Sequence, residues 1–155
     1  MPDKNTLRRA RADKRAGKAA STQAGEFIRE EIHHIRAGKH GARSTKQVIA
    51  IGLSKARQAG VDLPPPPRGK VPAATRRSAQ RARARGRSHS TRKKSAARSR
   101  ATLEVLEHEP RRAASHAALA RQARTQAHKR SAAERSRIAR RASRTRKRRG
   151  ARGKR

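Results

Sequence analysis

The sequence predicts a mostly disordered chain with limited α content: one short helical hairpin, followed by an Arg/Ala-rich tail that is helical only conditionally. Three observations predict it. The 155 residues carry 45 Lys+Arg against 10 Asp+Glu, a formal net charge of +35, and a compact fold with that charge repels itself. Apolar residues reach 32%, but most are alanine, with one Phe, one Met and neither Trp nor Tyr. The larger aliphatic side chains concentrate in a single stretch, and high charge with few large apolar residues is the signature of disorder.

Residues 1–24 read as a basic disordered arm, with seven Lys/Arg against Asp3 and Asp13 and a transient helix around 7–16. Residues 25–63 differ in kind. Phe27, Ile28, Ile32 and Ile35 recur at helical spacing and share one face. Glu26, Glu30 and Glu31 are expected early in that helix, where the N-terminal dipole favours negative charge, and Gly38 ends it. Ser44 followed by Gln47 fits a capping box that opens a second helix. Val48, Ile49 and Leu53 then line one face. Gly60 suits the residue after a helix end, and Pro64 to Pro67 prevent continuation. The expected module is a hairpin with helices at about 26–37 and 45–59 and a core of Phe27, Ile28, Ile32, Ile35, Val48, Ile49 and Leu53. So short a segment buries little, which makes self-association through the hairpin a reasonable expectation.

Residues 64–100 open with four prolines, a stiff spacer, and continue as a disordered Pro/Arg/Ser-rich linker. Residues 101–155 form the Arg/Ala-rich tail. From about residue 111 to 146 they are good helix formers, yet the apolar anchors there are only Leu119 and Ile138, and like charges crowd at i,i+4.

The charge is unevenly placed. Residues 64–155 hold 31 Lys/Arg against Glu104, Glu107, Glu109 and Glu134, a net +27, whereas residues 25–63 carry only +3. Such a segment gathers phosphates and releases their condensed counterions. Arginine dominates, and guanidinium groups bind phosphate in a bidentate way. The expected nucleic-acid contacts are Arg68, Lys70, Arg76, Arg77, Arg81, Arg83, Arg85, Arg87, Arg92, Lys93 and Lys94 in the linker, and Arg140, Arg141, Arg144, Arg146, Lys147, Arg148, Arg149, Arg152, Lys154 and Arg155 in the tail. Residues 64–155 are accordingly expected to carry most of the affinity. Duplex DNA is favoured over RNA, because RNA and single strands are usually gripped by aromatic platforms and Phe27 reads as core.

Weaker signals accompany these. Pro67-Arg68-Gly69-Lys70 and Arg85-Gly86-Arg87 resemble the Arg-Gly-Arg core of minor-groove hooks, without the full flanking prolines. Arg43, Ser44 and Lys46 at the second helix start offer a phosphate contact, beside the simpler reading of an ordinary cap. The hairpin could also serve as a degenerate helix-turn-helix, against which stand its two helices and seven-residue connection. His33, His34 and His40 read as surface histidines, because neighbouring residues on a helix diverge and no Cys or spaced carboxylate completes a zinc set. No metal ligand, cofactor or catalytic residue is expected. The absence of cysteine excludes a disulfide framework and a Cys nucleophile, and no apolar run is long enough to cross a bilayer.

The segment EFIREEIHHIRAGKHGARSTKQVIAIGLSKARQAGVDLPPP, with its Glu-Phe start, Gly38-Lys39-His40-Gly41 and Arg43-Ser44-Thr45-Lys46-Gln47, resembles a family of small basic bacterial proteins of unknown function, often labelled plasmid stabilization protein or DNA-binding protein. The resemblance implies a bacterial cytoplasmic protein, and the expected location is the nucleoid. The tail resembles histone H1-like bacterial tails in composition. The expected function is non-enzymatic binding of duplex DNA with little sequence preference. The rival expectations are a partition or antitoxin-like interaction module with a DNA-affinity tail, and an RNA or ribosome-assembly binder.

Overall fold

Seven α-helices and one 3-10 turn account for most of the residues described by the computed structural model, which are 2–88 and 95–152; the side chains of 148–152 fall outside that description. In chain order the helices are α1 (Lys4–Arg15), α2 (Ala20–Arg36), α3 (Thr45–Gln58), α4 (Ala73–Arg87), α5 (Ala96–Glu107), α6 (His116–His128) and α7 (Ala132–Arg152), with the 3-10 turn Arg111–Ala114 between α5 and α6. No strand occurs among the described residues.

This overturns the expectation of a mostly disordered chain. The arm contains α1, the linker contains α4 and the start of α5, and the tail contains α6 and α7. The physical reason lies in alanine and arginine. Both are strong helix formers, and alanine lets helices approach closely enough to bury area without large side chains. Ala10, Ala24, Ala42, Ala56, Ala79, Ala82, Ala113 and Ala114 are all buried.

The chain divides into two compact units, Met1–Ala118 and Leu119–Arg155. In the first, α1 and α3 pack on α2, and α4 packs on α3. Two apolar clusters hold it. One joins Ala10 of α1, Ala24 and Phe27 of α2, Ala56 of α3 and Val61, with Leu7, Ala20, Leu53 and Leu63 around them. The other joins Ile35, Ala42 and Val48 to Ala113 and Ala114 of the 3-10 turn, flanked by Ile32. Of the expected hairpin core, Phe27, Ile35 and Val48 are fully buried, while Ile28, Ile32, Ile49 and Leu53 are half-buried. The faces for which self-association was invoked are covered by α1, α4 and the 3-10 turn of the same chain.

Three close backbone approaches need glycine, the tightest at Gly41, where a Cβ would lie 1.7 Å from the Glu109 carbonyl oxygen. A Cβ on Gly52 of α3 would lie 2.8 Å from the Ile28 Cα of α2, and one on Gly86 of α4 would lie 1.9 Å from the Arg57 carbonyl oxygen. Gly52 and Gly86 bring α2, α3 and α4 almost backbone to backbone.

The helix ends follow local chemistry. Helix α2 starts at Ala20, six residues before the expected point. Glu30 and Glu31 are therefore in its second half and buried, not early in it near the positive dipole end. Helix α3 starts with Ser44 Oγ accepting from the Gln47 amide at 3.3 Å. The returning Gln47 side chain accepts from the Arg43 amide, one residue earlier than in the expected box. Gly60, at φ +86°, ends α3, with the Gly60 and Val61 amides donating to the Arg57 and Ala56 carbonyls.

In the second unit, α7 opens with a complete capping box: the Ser131 amide donates to Glu134 Oε2 at 3.0 Å, and the Glu134 amide donates to Ser131 Oγ at 3.2 Å.

Candidate functional site

Helix α7 is the most cationic element. Its 21 residues include ten Lys/Arg and a single acid, Glu134. Every side chain of α7 from residue 132 to 147 is exposed, including Arg140, Arg141, Arg144, Arg146 and Lys147. Like charges meet at Arg137/Arg141 and Arg140/Arg144, where i,i+4 repulsion is unfavourable and an external polyanion would relieve it. At 1.5 Å per residue the helix is about 31 Å long, close to one turn of duplex DNA. Arg148, Arg149 and Arg152 continue the same helix, their side chains outside the described set, and Lys154 and Arg155 lie outside the described residues, as do Arg92, Lys93 and Lys94.

The linker cations behave differently, because α4 is part of the first unit. Arg83 pairs with Asp62 at 2.7 Å and Arg87 pairs with the same carboxylate oxygen at 3.3 Å. Arg76 donates to the Pro66 carbonyl at 3.2 Å. Arg83 hydrogen bonding holds the Asp62 carboxyl below the usual carboxylate range, helped by the Arg83 and Arg87 charges against a smaller opposing effect of desolvation. Arg68, Lys70, Arg77, Arg81 and Arg85 are exposed. Among the residues expected to touch nucleic acid, then, Arg76, Arg83 and Arg87 also have partners within the fold.

Neither hook-like sequence is extended. Gly69 sits at φ +77° in a turn, closed by the Lys70 amide on the Pro67 carbonyl at 3.4 Å. Gly86 lies inside α4, buried against the Arg57 backbone. The start of α3 is not an open anion site either. The Arg43 and Gln47 amides already have partners, and Glu109 Oε1 stands 3.7 Å from Arg43 Nε, where its charge disfavours an anion. Lys46 is exposed. The Thr45 hydroxyl donates to the Ala113 carbonyl at 2.7 Å, so the 3-10 turn occupies ground that a groove-reading helix would need free.

Two of the three histidines depart from the expected surface position. His33 is exposed, but His34 and His40 turn inward toward Glu31. Glu31 is fully buried, with Lys55 donating to its Oε1. His40 Nε2 lies 3.6 Å from Glu31 Oε2, and His34 Nδ1 lies 3.8 Å from Glu31 Oε1. On its other side His34 Nε2 faces Asp3 Oδ2 at 3.6 Å and Glu30 Oε1 at 3.9 Å. Glu30 Oε1 also accepts the Asp3 amide at 3.2 Å. Glu31, His34 and His40 can each bring one ligand atom within 4.8 Å of the others, as can Asp3, Glu30 and His34. The carboxylate missing from the sequence-level metal set was Glu31, three residues before His34. The apolar spacing places it early in a helix near 26–37, whereas the helix starts at Ala20.

Residues 11–67 match the model of a family of unknown function (DUF6496). The matched stretch runs from α1 through α3 to the proline run, so it includes Glu30, Glu31, His34 and His40 and stops before α4 to α7. No curated protein and no solved structure matches the chain.

Proposed function

We propose that this protein is a non-enzymatic binder of duplex DNA, with little sequence preference, acting at the bacterial nucleoid or on a plasmid. The observation that carries the reading is α7: ten Lys/Arg against one acid, with every described side chain facing solvent. Its cations surround the helix rather than forming one stripe. A helix lying in the major groove has a phosphate backbone on each flank, so cations on opposite faces both find partners. The exposed Arg77, Arg81 and Arg85 of α4 add to the same attraction. A plasmid-stabilising role rests on the resemblance noted for residues 26–66, and no helix among the described residues is long and apolar enough to cross a membrane.

The test uses the full chain, because a cut at residue 64 would remove α4 from α3. Affinity for a duplex of random sequence is measured across a salt series, for the native chain and for a variant with Arg140, Arg141, Arg144 and Arg146 changed to Gln. The variant should lose affinity, and its log–log salt slope should be shallower by about 0.9 for each phosphate contact removed. An unchanged slope would refute the role of α7. Tighter binding to structured RNA than to duplex DNA at matched salt would transfer the reading to RNA.

A further inference from the structure

We propose that Glu31, His34 and His40 bind one first-row divalent transition-metal ion, of which Zn(II) is the natural probe, inside the α1–α2–α3 bundle. The site is independent of the DNA-binding reading and stands on four observations.

The first is convergence. Glu31 and His34 come from successive turns of α2, and His40 comes from the connection to α3, yet one donor atom from each lies within 4.8 Å of the others. The second is an unmet bonding need. Glu31 is 0% exposed, and Lys55 bonds its Oε1, but Oε2, the atom that faces His40, is buried with no hydrogen-bond partner. Buried polar atoms without partners are few in folded proteins, and an ion is one of the established reasons for them.

The third is the tautomer of His40. Its Nδ1 lies 3.0 Å from the Gly41 carbonyl oxygen. A carbonyl only accepts, so Nδ1 carries the hydrogen and donates it. In the neutral ring the Nε2 lone pair then faces the Glu31 Oε2 lone pairs across 3.6 Å. Two electron-rich atoms so placed call for a cation between them. Two ligands at 2.0–2.1 Å from a tetrahedral ion lie about 3.4 Å apart, so this pair needs little movement.

The fourth is the outer set of partners. Metal-bound imidazoles usually donate their remaining N–H to a carboxylate or backbone carbonyl. His40 has the Gly41 carbonyl. His34, with Nδ1 turned to Glu31, points Nε2 toward Asp3 and Glu30 at 3.6 and 3.9 Å, near these carboxylates but not hydrogen-bonded to either. Locally, Asp3, Glu30 and Glu31 outnumber Lys55, so the pocket is negative within a strongly positive chain. Two imidazoles and a carboxylate suit Zn, Co, Ni or Cu rather than Mg or Ca, which take oxygen ligands. Three protein ligands leave a fourth position for water or another donor.

The rival is a metal-free network in which protonated His34 and His40 pair with Glu31. The full-length chain, free of any histidine tag and stripped with chelator, is titrated with Zn(II) against a chromophoric competitor and separately loaded with Co(II). One equivalent of Zn(II) per chain, a tetrahedral Co(II) absorption band and a higher melting temperature with Zn(II) are expected. His34→Ala or His40→Ala should weaken Zn(II) binding by at least about 100-fold, beyond the loss typical of outer partners, whereas His33→Ala should leave it unchanged. Binding by the native chain no tighter than by the His34→Ala/His40→Ala double variant would overturn the site, as would an equal loss in His33→Ala. Circular dichroism checks that each variant keeps its helices. If a variant does not, the native chain decides alone: Zn(II)-induced shifts of the His34 and His40 ring resonances support the site, and their absence refutes it.

Discussion

Gly86→Ala tests whether α4 is part of a packed bundle or merely a helical stretch of linker. The added Cβ would stand 1.9 Å from the Arg57 carbonyl oxygen and 3.0 Å from the Gly60 nitrogen, against an ordinary contact of 3.4 Å or more. Both obstacles are backbone, so no side chain can swing aside, and α4 must retreat by about 1.5 Å. Overpacking of this kind costs about 1–3 kcal/mol, and a site blocked by backbone belongs at the upper end. Alanine returns about 1 kcal/mol through helix propensity. The net expectation is a loss of about 2 kcal/mol in urea unfolding followed by circular dichroism. Gly25→Ala is the matched control, because a Cβ there meets nothing within 4 Å; it should stabilise by about 0.5–1 kcal/mol. If Gly86→Ala behaves like Gly25→Ala, the α3–α4 contact does not exist in solution. If it instead keeps stability and loses DNA affinity, the minor-groove reading of Arg85-Gly86-Arg87 returns.

The remaining predictions address the core, a tie between segments and an ion pair. Phe27→Ala, at a side chain 1% exposed, should cost about 3–5 kcal/mol by the same unfolding assay, and a loss below 1 kcal/mol would argue against the cluster around it. Thr45→Val leaves the Ala113 carbonyl without its 2.7 Å donor and should cost about 1–3 kcal/mol; a neutral result would mean the 3-10 turn is not seated on α3. Asp62 has a depressed carboxyl in the fold, so its pairing stabilises at pH above the unfolded value of about 4 and is lost as pH falls through the lower folded value. Asp62→Asn should therefore be less stable at neutral pH and show a shallower acid decline, and coincident acid limbs for the two proteins would refute the pairing.

The sequence carried local information better than global information. The start of α3 was legible in Ser44 and Gln47, and its end in Gly60, because caps depend on a few adjacent residues. The start of α2 is not: Ala19 and Ala20 give no side-chain cap, so the apolar spacing points to a start near residue 26 and puts Glu30 and Glu31 early in the helix, whereas they fall in its second half and are buried. The Ser131/Glu134 box is local in the same way, with both partners inside Ser131-Ala132-Ala133-Glu134. The packing of the first unit is less legible, because much of its core is not made of large side chains. The contacts through Gly52, Gly86, Ala113 and Ala114 bury backbone and methyl groups, and a search for Phe, Ile and Leu cannot see them. The His34–His40–Glu31 grouping was illegible for another reason. It depends on how the 37–44 connection returns to α2, which spacing alone does not give.

The position of the acids joins the two functional readings. Through residue 62 the first unit uses each of its acids as a structural partner: Asp3 and Glu30 beside His34, Asp13 with Lys18, Glu26 with Arg9 and Arg29, Glu31 with Lys55, and Asp62 with Arg83 and Arg87. Glu109 faces Arg43, and Glu134 caps α7. Few carboxylates remain to neutralise the exposed arginines, so these meet solvent as uncompensated charge, which is what counterion-release binding requires. The same scarcity makes the pocket around Glu31 unusual. There two buried acids, Glu30 and Glu31, lie beside Lys55 and two imidazoles, with exposed Asp3 at the edge. A chain selected only to coat phosphates has no reason to desolvate carboxylates there. That local excess of negative charge is the physical case for a cation at Glu31, and it does not depend on the proposed role of α7.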